Sequence, residues 1–151
     1  MFLSKLQEDL KTAMKTHDET KTLVIRSLLS SINYARIDKQ HDLSDLEVEE
    51  VLSKEVKKHK ESIEMFKKGN RQDLWEKEEK ELAIILSYLP KQMSEEEVRE
   101  EINKILAVLS EADRSNFGKA MSFCMPKLKG RADGQIVAGT LKDILGENQT
   151  A

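Results

Sequence analysis

The sequence predicts an all-α protein, because apolar side chains recur at intervals of three and four along most of its 151 residues. No segment of the sequence shows the sustained alternation between turn residues that is typical of strands. Charged residues make up 35% of the chain and hydrophobic residues 38%, as in helical bundles with much exposed surface. We therefore expect an N-terminal four-helix unit followed by a small C-terminal three-helix domain.

The first two helices are predicted from their apolar faces. The first should cover about residues 3–15, and the second should begin near Asp18, whose side chain can accept hydrogen bonds from the free amides of a first turn. The second helix has apolar residues at helical spacing: Val24, Ile25, Leu28, Leu29, Ile32 and Ala35. These two helices should form a helical hairpin.

The third and fourth helices are delimited by a cap and by two helix-ending residues. Ser44 and Glu47 have the spacing of a capping box and precede a helix of about twenty residues, which should end at Gly69. A fourth helix should follow from about Arg71. Pro90 closes that helix, because the residue before a proline avoids helical geometry.

A boundary between two domains is predicted where the helix-stopping Pro90 is followed by a new capping box at Ser94 and Glu97. We expect an N-terminal helical domain over residues 1–90 and a C-terminal helical domain over residues 94–147. The sequence thus predicts a hinge between them.

Three helices should build the C-terminal domain. The first begins at Ser94, the second should cover about residues 115–125, and the third about residues 133–145, with Gly146 as its terminal cap. The acidic residues after Ser94 fit the first turn of a helix, because they complement its dipole.

The segment 125–134 combines cations with an irregular backbone. Residues 113–151 hold six basic and four acidic side chains, whereas the rest of the chain holds 19 and 24. Pro126 lacks a backbone donor and should end a helix, while Gly130 and Gly134 permit left-handed or tight-turn geometry. We expect a stiff, donor-rich loop suited to phosphate contacts. An ordinary solvated turn between two helices stays open as the alternative.

Two sets of residues are candidates for nucleic-acid binding. The main set lies in and before this loop: Lys119, Lys127, Lys129, Gly130 and Arg131. Lys54 and Lys58 of the third helix form a secondary set. Glutamates interleave with these two lysines, so a solvated, ion-paired helix face stays open as their alternative role.

Catalytic chemistry is not evident in the sequence. No nucleophile with triad partners and no phosphate-binding glycine-rich loop is visible, so we predict no catalytic residue and no cofactor. The histidines lie on separate elements, and the spacing of Glu55 and His59 is four rather than the three of a di-iron motif, so we predict no metal site. Cys124 has the helical register of a small core residue.

The single cysteine cannot form an intrachain disulfide, which fits a reducing compartment. No run of 18 uncharged apolar residues occurs, and the N-terminal residues do not have the pattern of a signal peptide. The net charge of −3 argues against nucleic-acid binding over the whole surface. We therefore expect a cytoplasmic protein without a membrane or DNA partner.

Six segments, in the same order along the chain, have the sequence of a known family: Ile25–Leu29, Leu52–Glu55, Gly69–Leu74, Tyr88–Glu97, Gly118–Met121 and Met125–Gly134. They resemble the YqeY-like proteins, which are relatives of the C-terminal tail domain of the B subunit (GatB) of the glutamyl/aspartyl-tRNA amidotransferase. The resemblance implies two helical domains, the second similar to a tail that contacts tRNA. Where that tail tends to have Gly-Lys-Ala-Asn-Pro, Arg131 keeps the cation, whereas Asp133 and Gly134 depart from the pattern.

The resemblance and the basic loop together predict a non-catalytic accessory protein that binds tRNA or acts in tRNA metabolism. An aminoacyl-tRNA synthetase or an amidotransferase is a further expected partner. A carbon–nitrogen ligase activity with glutamine as amido-N-donor would belong to such a partner, because this chain lacks a glutaminase nucleophile and an ATP-binding motif. The alternative is a protein–protein adaptor that docks on a translation enzyme without binding RNA itself.

Overall fold

The computed structural model describes residues 2–150, with side chains described for residues 2–147, and it confirms the all-α prediction. Within these residues the chain forms eight helices and no strand. The helices are α1 Phe2–Lys15, α2 Glu19–Lys39, α3 Asp45–Lys68, α4 Gln72–Leu86, α5 Glu95–Ala107, α6 Glu111–Ser115, α7 Phe117–Leu128 and α8 Gly134–Thr150. The chain divides into two compact units, Met1–Pro90 and Lys91–Ala151, which we call the N-terminal and C-terminal units.

The N-terminal unit is built from α1 to α4 around one apolar core. α3 and α4 form its most extensive helix pair. The largest fully buried side chains of this core come from all four helices: Leu6, Ile25, Leu28, Leu52 and Ile85. Burial of each such side chain contributes about 1.5–3 kcal/mol to stability.

The predicted helix starts are confirmed. The Asp18 carboxylate accepts a hydrogen bond from a first-turn amide of α2 at 3.0 Å. Both capping boxes are present, since Ser44 pairs reciprocally with Glu47 at the start of α3 and Ser94 pairs with Glu97 at the start of α5. Each box satisfies backbone donors that the first helical turn would otherwise leave unpaired.

The ends of α3 and α4 differ in detail from the prediction. Gly69 is the C-cap of α3 as expected, but its φ of −86° is ordinary, and the left-handed residue is Asn70 with φ of 51°. Asparagine tolerates this region better than most residues. α4 ends at Leu86, before Pro90, and the buried Tyr88 and Leu89 pack into the core of the N-terminal unit.

The C-terminal unit contains the three expected helices as α5, α7 and α8. Their core is made of fully buried side chains: Val98, Ile102, Ala120, Cys124, Leu128, Val137 and Leu141. A five-residue helix, α6, was not predicted. Its N-cap Ser110 accepts a hydrogen bond from the Asp113 amide at 3.2 Å, a spacing that the sequence analysis overlooked.

Two predicted helix ends in the C-terminal unit are wrong. α7 continues through Pro126 to Leu128, and α8 continues through Gly146. The buried Leu128 side chain anchors the last turn of α7. In a regular helix the amide of residue 126 would donate to the carbonyl of Ser122, but proline has no amide hydrogen. Because Ser122 is exposed, water can hydrate this carbonyl instead. An isolated glycine inside a helix is tolerated at a cost of about 1 kcal/mol.

Candidate nucleic-acid interface

The exposed face of α7 presents two cations on either side of an aromatic ring. Lys119, Phe123 and Lys127 follow one another at intervals of four residues, so they lie along one side of the helix. All three are exposed, and Phe123 keeps 46% of its surface accessible. We call these three residues the α7 stripe.

The rest of α7 fixes the orientation of this stripe. A different face of the helix enters the core of the C-terminal unit through three fully buried side chains, Ala120, Cys124 and Leu128. The Asn116 side chain caps the helix by accepting a hydrogen bond from the amide of Lys119 at 3.1 Å. Because the helix is held at its start and along its buried face, the stripe has a defined direction.

Lys119 has an anionic neighbour on α6. Its ammonium lies 3.4 Å from the Asp113 carboxylate, and 61% of the lysine side chain is exposed. Hydrogen bonds from the Ser110 hydroxyl and then from Lys119 lower the pKa of the Asp113 carboxyl. Exposed ion pairs of this kind contribute about 0–1 kcal/mol, so a phosphate can compete with Asp113 for the ammonium.

The backbone after α7 is less open to an anion than we predicted. The amides of Lys129, Arg131 and Ala132 all donate to α7 carbonyls, at 2.9 to 3.0 Å. Gly130 takes the predicted left-handed conformation with φ of 77°, whereas Gly134 begins α8 as an ordinary helical residue. The expectation of a donor-rich phosphate cradle is therefore wrong for these three amides, because they close the end of the helix.

The same loop is tied to the segment before α5. The amide of Met93 donates to the carbonyl of Arg131 at 2.8 Å, and the Gln92 side chain donates to the carbonyl of Gly130 at 2.9 Å. These bonds hold the loop in one conformation. These tertiary hydrogen bonds support the predicted stiffness of the loop, which from the sequence rested on Pro126.

Arg131 lies beside acidic side chains. It lines a surface depression of about 230 Å³ together with three glutamates and two lysines of the same unit: Glu97, Glu100, Glu101, Lys91 and Lys104. The backbone amide of Ser94 and the charges of Lys91 and Arg131 lower the pKa of the Glu97 carboxyl. Part of the Arg131 charge is therefore balanced within the protein, as part of the Lys119 charge is balanced by Asp113.

The secondary candidates lie in the N-terminal unit. The ammonium of Lys58 contacts the Glu55 carboxylate at 2.7 Å, which matches the ion-paired alternative. Lys54 is exposed on the same helix. The role of these two lysines in RNA binding stays a prediction.

Sequence reasoning missed two groups of functional interest. Phe123 was overlooked, although its spacing of four from Lys119 and from Lys127 was visible in the sequence. The second group consists of His59 on α3 with Glu78 and Glu81 on α4, which we call the His59 cluster. The sequence around each of these three residues does not indicate that they are neighbours, because the packing of α3 against α4 brings them together.

Cys124 is a core residue, as predicted. Its side chain is fully buried, and this burial raises the pKa of the thiol, with a smaller opposing effect from the charge of Lys127. A buried thiol of raised pKa is a poor nucleophile. Its position therefore indicates packing.

The sequence model of the Yqey-like protein family matches residues 3–145. The chain belongs to the YqeY-like family. This confirms the resemblance found in the sequence, and the match covers both units. It establishes family membership without identifying what the chain binds.

Three curated relatives share the name "Altered inheritance of mitochondria protein 41, mitochondrial". That of Lachancea thermotolerans is 38% identical over 75% of this chain and 62% of its own length. That of Pyrenophora tritici-repentis is 31% identical over 97% of this chain and 82% of its own length. That of Kluyveromyces lactis is 34% identical over 93% of this chain and 74% of its own length. The chain thus spans less than two thirds of the Lachancea relative and more of the other two.

These names correct the expected cytoplasmic location. The three relatives are named as mitochondrial proteins, so the cytoplasmic prediction is wrong. The cytoplasmic prediction rested on the cysteine count and on the length of apolar runs. These features indicate disulfide bonds and membrane spans, and they do not distinguish between compartments with the same redox conditions. No helix in the described part of the chain is long and apolar enough to cross a membrane.

Proposed function

We propose that this chain is a non-catalytic accessory protein whose C-terminal unit binds tRNA through the α7 stripe. The observation that carries the proposal is the exposed arrangement of Lys119, Phe123 and Lys127 on one side of a well-anchored helix. Family membership supports an accessory role, and the resemblance to the amidotransferase tail suggested tRNA as the partner.

The α7 stripe offers two kinds of interaction with RNA, and neither of them requires a catalytic site. Lysines contact phosphates electrostatically, and an exposed aromatic ring can stack on an unpaired base. Lys119 and Lys127 are eight residues apart, which corresponds to about 12 Å along the helix axis. A tRNA offers phosphates at such separations and unpaired bases in its loops and at its 3′ end. Lys129 and Gly130 extend the same end of the helix.

The acidic character of the chain restricts binding to this face. The net charge is −3, which disfavours binding of a polyanion over the whole surface. In the depression beside Arg131, three glutamates balance the charges of Arg131, Lys91 and Lys104. We therefore assign Arg131 a smaller part in RNA binding than Lys127 and than Lys119, whose acidic contact is the Asp113 carboxylate.

A titration of labelled tRNA with the full chain tests the proposal. Lys119→Gln/Lys127→Gln should weaken binding at low salt, because each removed phosphate contact takes away an electrostatic contribution. Phe123→Ala should also weaken binding, by about 1–3 kcal/mol for one lost stacking contact. Circular dichroism should show that all variants remain as helical as the parent.

Lys91→Gln/Lys104→Gln is the matched control. It removes the same charge from the same unit, but both lysines lie outside the α7 stripe, in the depression lined by three glutamates. We expect near-parental affinity for this control. Equal losses in the two double variants would show that net charge alone governs binding, and would overturn the assignment to α7.

A second candidate is the protein–protein adaptor, and an observation in the N-terminal unit favours it. Three large apolar side chains are exposed near the point where α2 ends and α3 begins: Tyr34 (71%), Ile37 (62%) and Leu46 (71%). Tyr34 and Ile37 are three residues apart and share one side of α2, and exposed apolar groups that cluster on a surface mark protein interaction sites. A partner that co-purifies after nuclease treatment and is lost in Tyr34→Ser would support this candidate.

A further inference from the structure

The N-terminal unit brings one imidazole and two carboxylates to the same point. Nδ1 of His59 lies 2.5 Å from a Glu78 carboxylate oxygen and 3.9 Å from a Glu81 carboxylate oxygen. Glu78 and Glu81 are three residues apart and project from the same side of α4, towards His59 on α3. One potential ligand atom from each residue lies within 4.8 Å of the other two.

An ion pair explains only part of this arrangement. The contact with the Glu78 carboxylate requires one N–H at Nδ1, and the oxygen of Glu81 at 3.9 Å is too far for a hydrogen bond to the same nitrogen. The ammonium of Lys77 lies 3.9 Å from the other Glu81 oxygen, but 66% of its side chain is exposed. Two carboxylates with side-chain exposures of 22% and 18% are thus only partly neutralised.

The separations are close to those that one metal ion requires. Zn²⁺ binds imidazole nitrogen and carboxylate oxygen at about 2.0–2.2 Å, so two ligand atoms on a tetrahedral ion are about 3.4 Å apart. The contact of His59 with Glu78 must open by about 0.9 Å and that with Glu81 must close by about 0.5 Å. Rotation of two glutamate side chains suffices for both changes, because each has three rotatable bonds.

The surroundings leave space beside the ligands. His59 and Glu81 line a cavity of about 200 Å³ whose other walls include Leu23, Ser27 and Glu55. The Glu55 carboxylate accepts hydrogen bonds at Oε1 from Lys58 and from the Ser31 hydroxyl, and the group of potential ligands consists of His59, Glu78 and Glu81. Water can fill the fourth position of a tetrahedral ion, as in zinc sites with three protein ligands.

We propose that His59, Glu78 and Glu81 bind one divalent transition-metal ion that joins α3 to α4. A donor set of one nitrogen and two oxygens suits Zn²⁺ and its neighbours better than Mg²⁺ or Ca²⁺, which prefer all-oxygen sites. The ligand is the neutral imidazole, so Nδ1 must give up its hydrogen on binding. A neutral ring then carries its N–H at Nε2, and an imidazolium releases one proton to solvent. The site belongs to the N-terminal unit and is independent of the α7 stripe.

Zinc binding to the full chain tests this proposal. The protein is stripped with a chelator, and Zn²⁺ is then titrated in competition with a chromophoric chelator. The parent should bind one equivalent. We expect the zinc affinity to fall at least about tenfold in each of three variants, His59→Gln, Glu78→Gln and Glu81→Gln. Tenfold is the lower end of the loss seen when a residue that only orients a metal ligand is replaced.

Thermal unfolding gives a second readout. An ion that binds only the folded protein stabilises it, so Zn²⁺ should raise the Tm of the parent and have a smaller effect on the three variants. His41→Gln is the matched control, because His41 is also an imidazole near a single carboxylate, that of Glu47 at 3.5 Å. It should behave as the parent.

Two results overturn the proposal. One is a parent protein without saturable one-to-one Zn²⁺ binding. The other is parental affinity in the variants of the His59 cluster, which would locate any bound zinc elsewhere. The three variants are independent, so a folding failure in one leaves the decision to the other two.

Discussion

Replacing Pro126 by alanine separates two descriptions of the end of α7. The sequence predicted that the helix stops at this proline, whereas the structure continues the helix through it to Leu128. The amide of Lys129 donates to the Met125 carbonyl at 2.9 Å, so the helical hydrogen-bond pattern is intact beyond position 126. The two descriptions predict opposite signs for the change in stability.

The structure predicts that Pro126→Ala stabilises the C-terminal unit. Proline in a helix interior is about 3 kcal/mol less favourable than alanine. Pro126 lies in the last turn, and the carbonyl it leaves without a helical donor belongs to the exposed Ser122, so water already compensates part of this cost. We expect a gain of about 1–2 kcal/mol.

Hydrogen exchange measured by NMR is the suitable assay. The single tryptophan, Trp75, lies in α4 of the N-terminal unit, so its fluorescence does not report on α7. Protection of the Ala120 and Leu128 amides reports the free energy of opening α7 directly. Both amides should exchange about five- to thirtyfold more slowly in Pro126→Ala, which corresponds to 1–2 kcal/mol.

The opposite sign refutes the reasoning. If the chain left the helix before residue 126, the proline would restrict the unfolded chain at a compatible turn position, and its loss would cost about 0.4–1 kcal/mol. Faster exchange in Pro126→Ala would therefore show that α7 ends where the sequence predicted. Ser122→Ala, on the exposed side of α7, is a control for general effects of substitution.

Three further predictions concern single contacts. The Lys39 ammonium and the Ser44 amide lower the pKa of Glu47 from its ordinary 4.5 to about 2. The contribution of this carboxylate to stability is therefore complete above about pH 4.5 and is lost as pH falls towards 2. Glu47→Gln should flatten this part of the dependence of stability on pH, measured by urea unfolding. Tyr88→Phe removes a 2.7 Å hydrogen bond to the Asp9 carboxylate and should cost about 1.5–3 kcal/mol, read by tryptophan fluorescence. Cys124→Ala should lower stability by about 1–2 kcal/mol and leave tRNA affinity unchanged.

Each of these has a clear failure. If the dependence of stability on acid pH is the same in Glu47→Gln as in the parent, the charge of Glu47 does not contribute to stability at the start of α3. Glu61→Gln is the exposed control. A Tyr88→Phe protein as stable as the parent would mean that the phenol contributes only apolar contacts. Reaction of Cys124 with a thiol reagent at the rate of a free thiol in the native protein would contradict its burial.

The helices were predictable because their signals are local. Capping boxes at Ser44 and Ser94 and the Asp18 cap occupy their predicted places. The end of α7 was not predictable in the same way, because the burial of Leu128 overrides the local preference of Pro126. That burial depends on helices distant in the sequence.

The candidate site was only partly predictable for the same reason. Lys119 and Lys127 were evident as cations, but which cations face other charges is decided by packing. Arg131 and Glu97 line the same depression, although 34 positions separate them in the sequence. Phe123 shares the α7 stripe through local helical spacing, so it was within reach of the sequence and was missed.

The salt dependence of tRNA binding tests the central claim most directly. The logarithm of the affinity is measured against the logarithm of salt concentration for the parent, for Lys119→Gln/Lys127→Gln and for Phe123→Ala. Each lost phosphate contact removes roughly 0.7–0.9 units of slope. We predict a slope shallower by about 1.5 units in the double lysine variant, and an unchanged slope with lower affinity in Phe123→Ala, because stacking releases no counterions. Parental slope and affinity in both variants would contradict binding through α7.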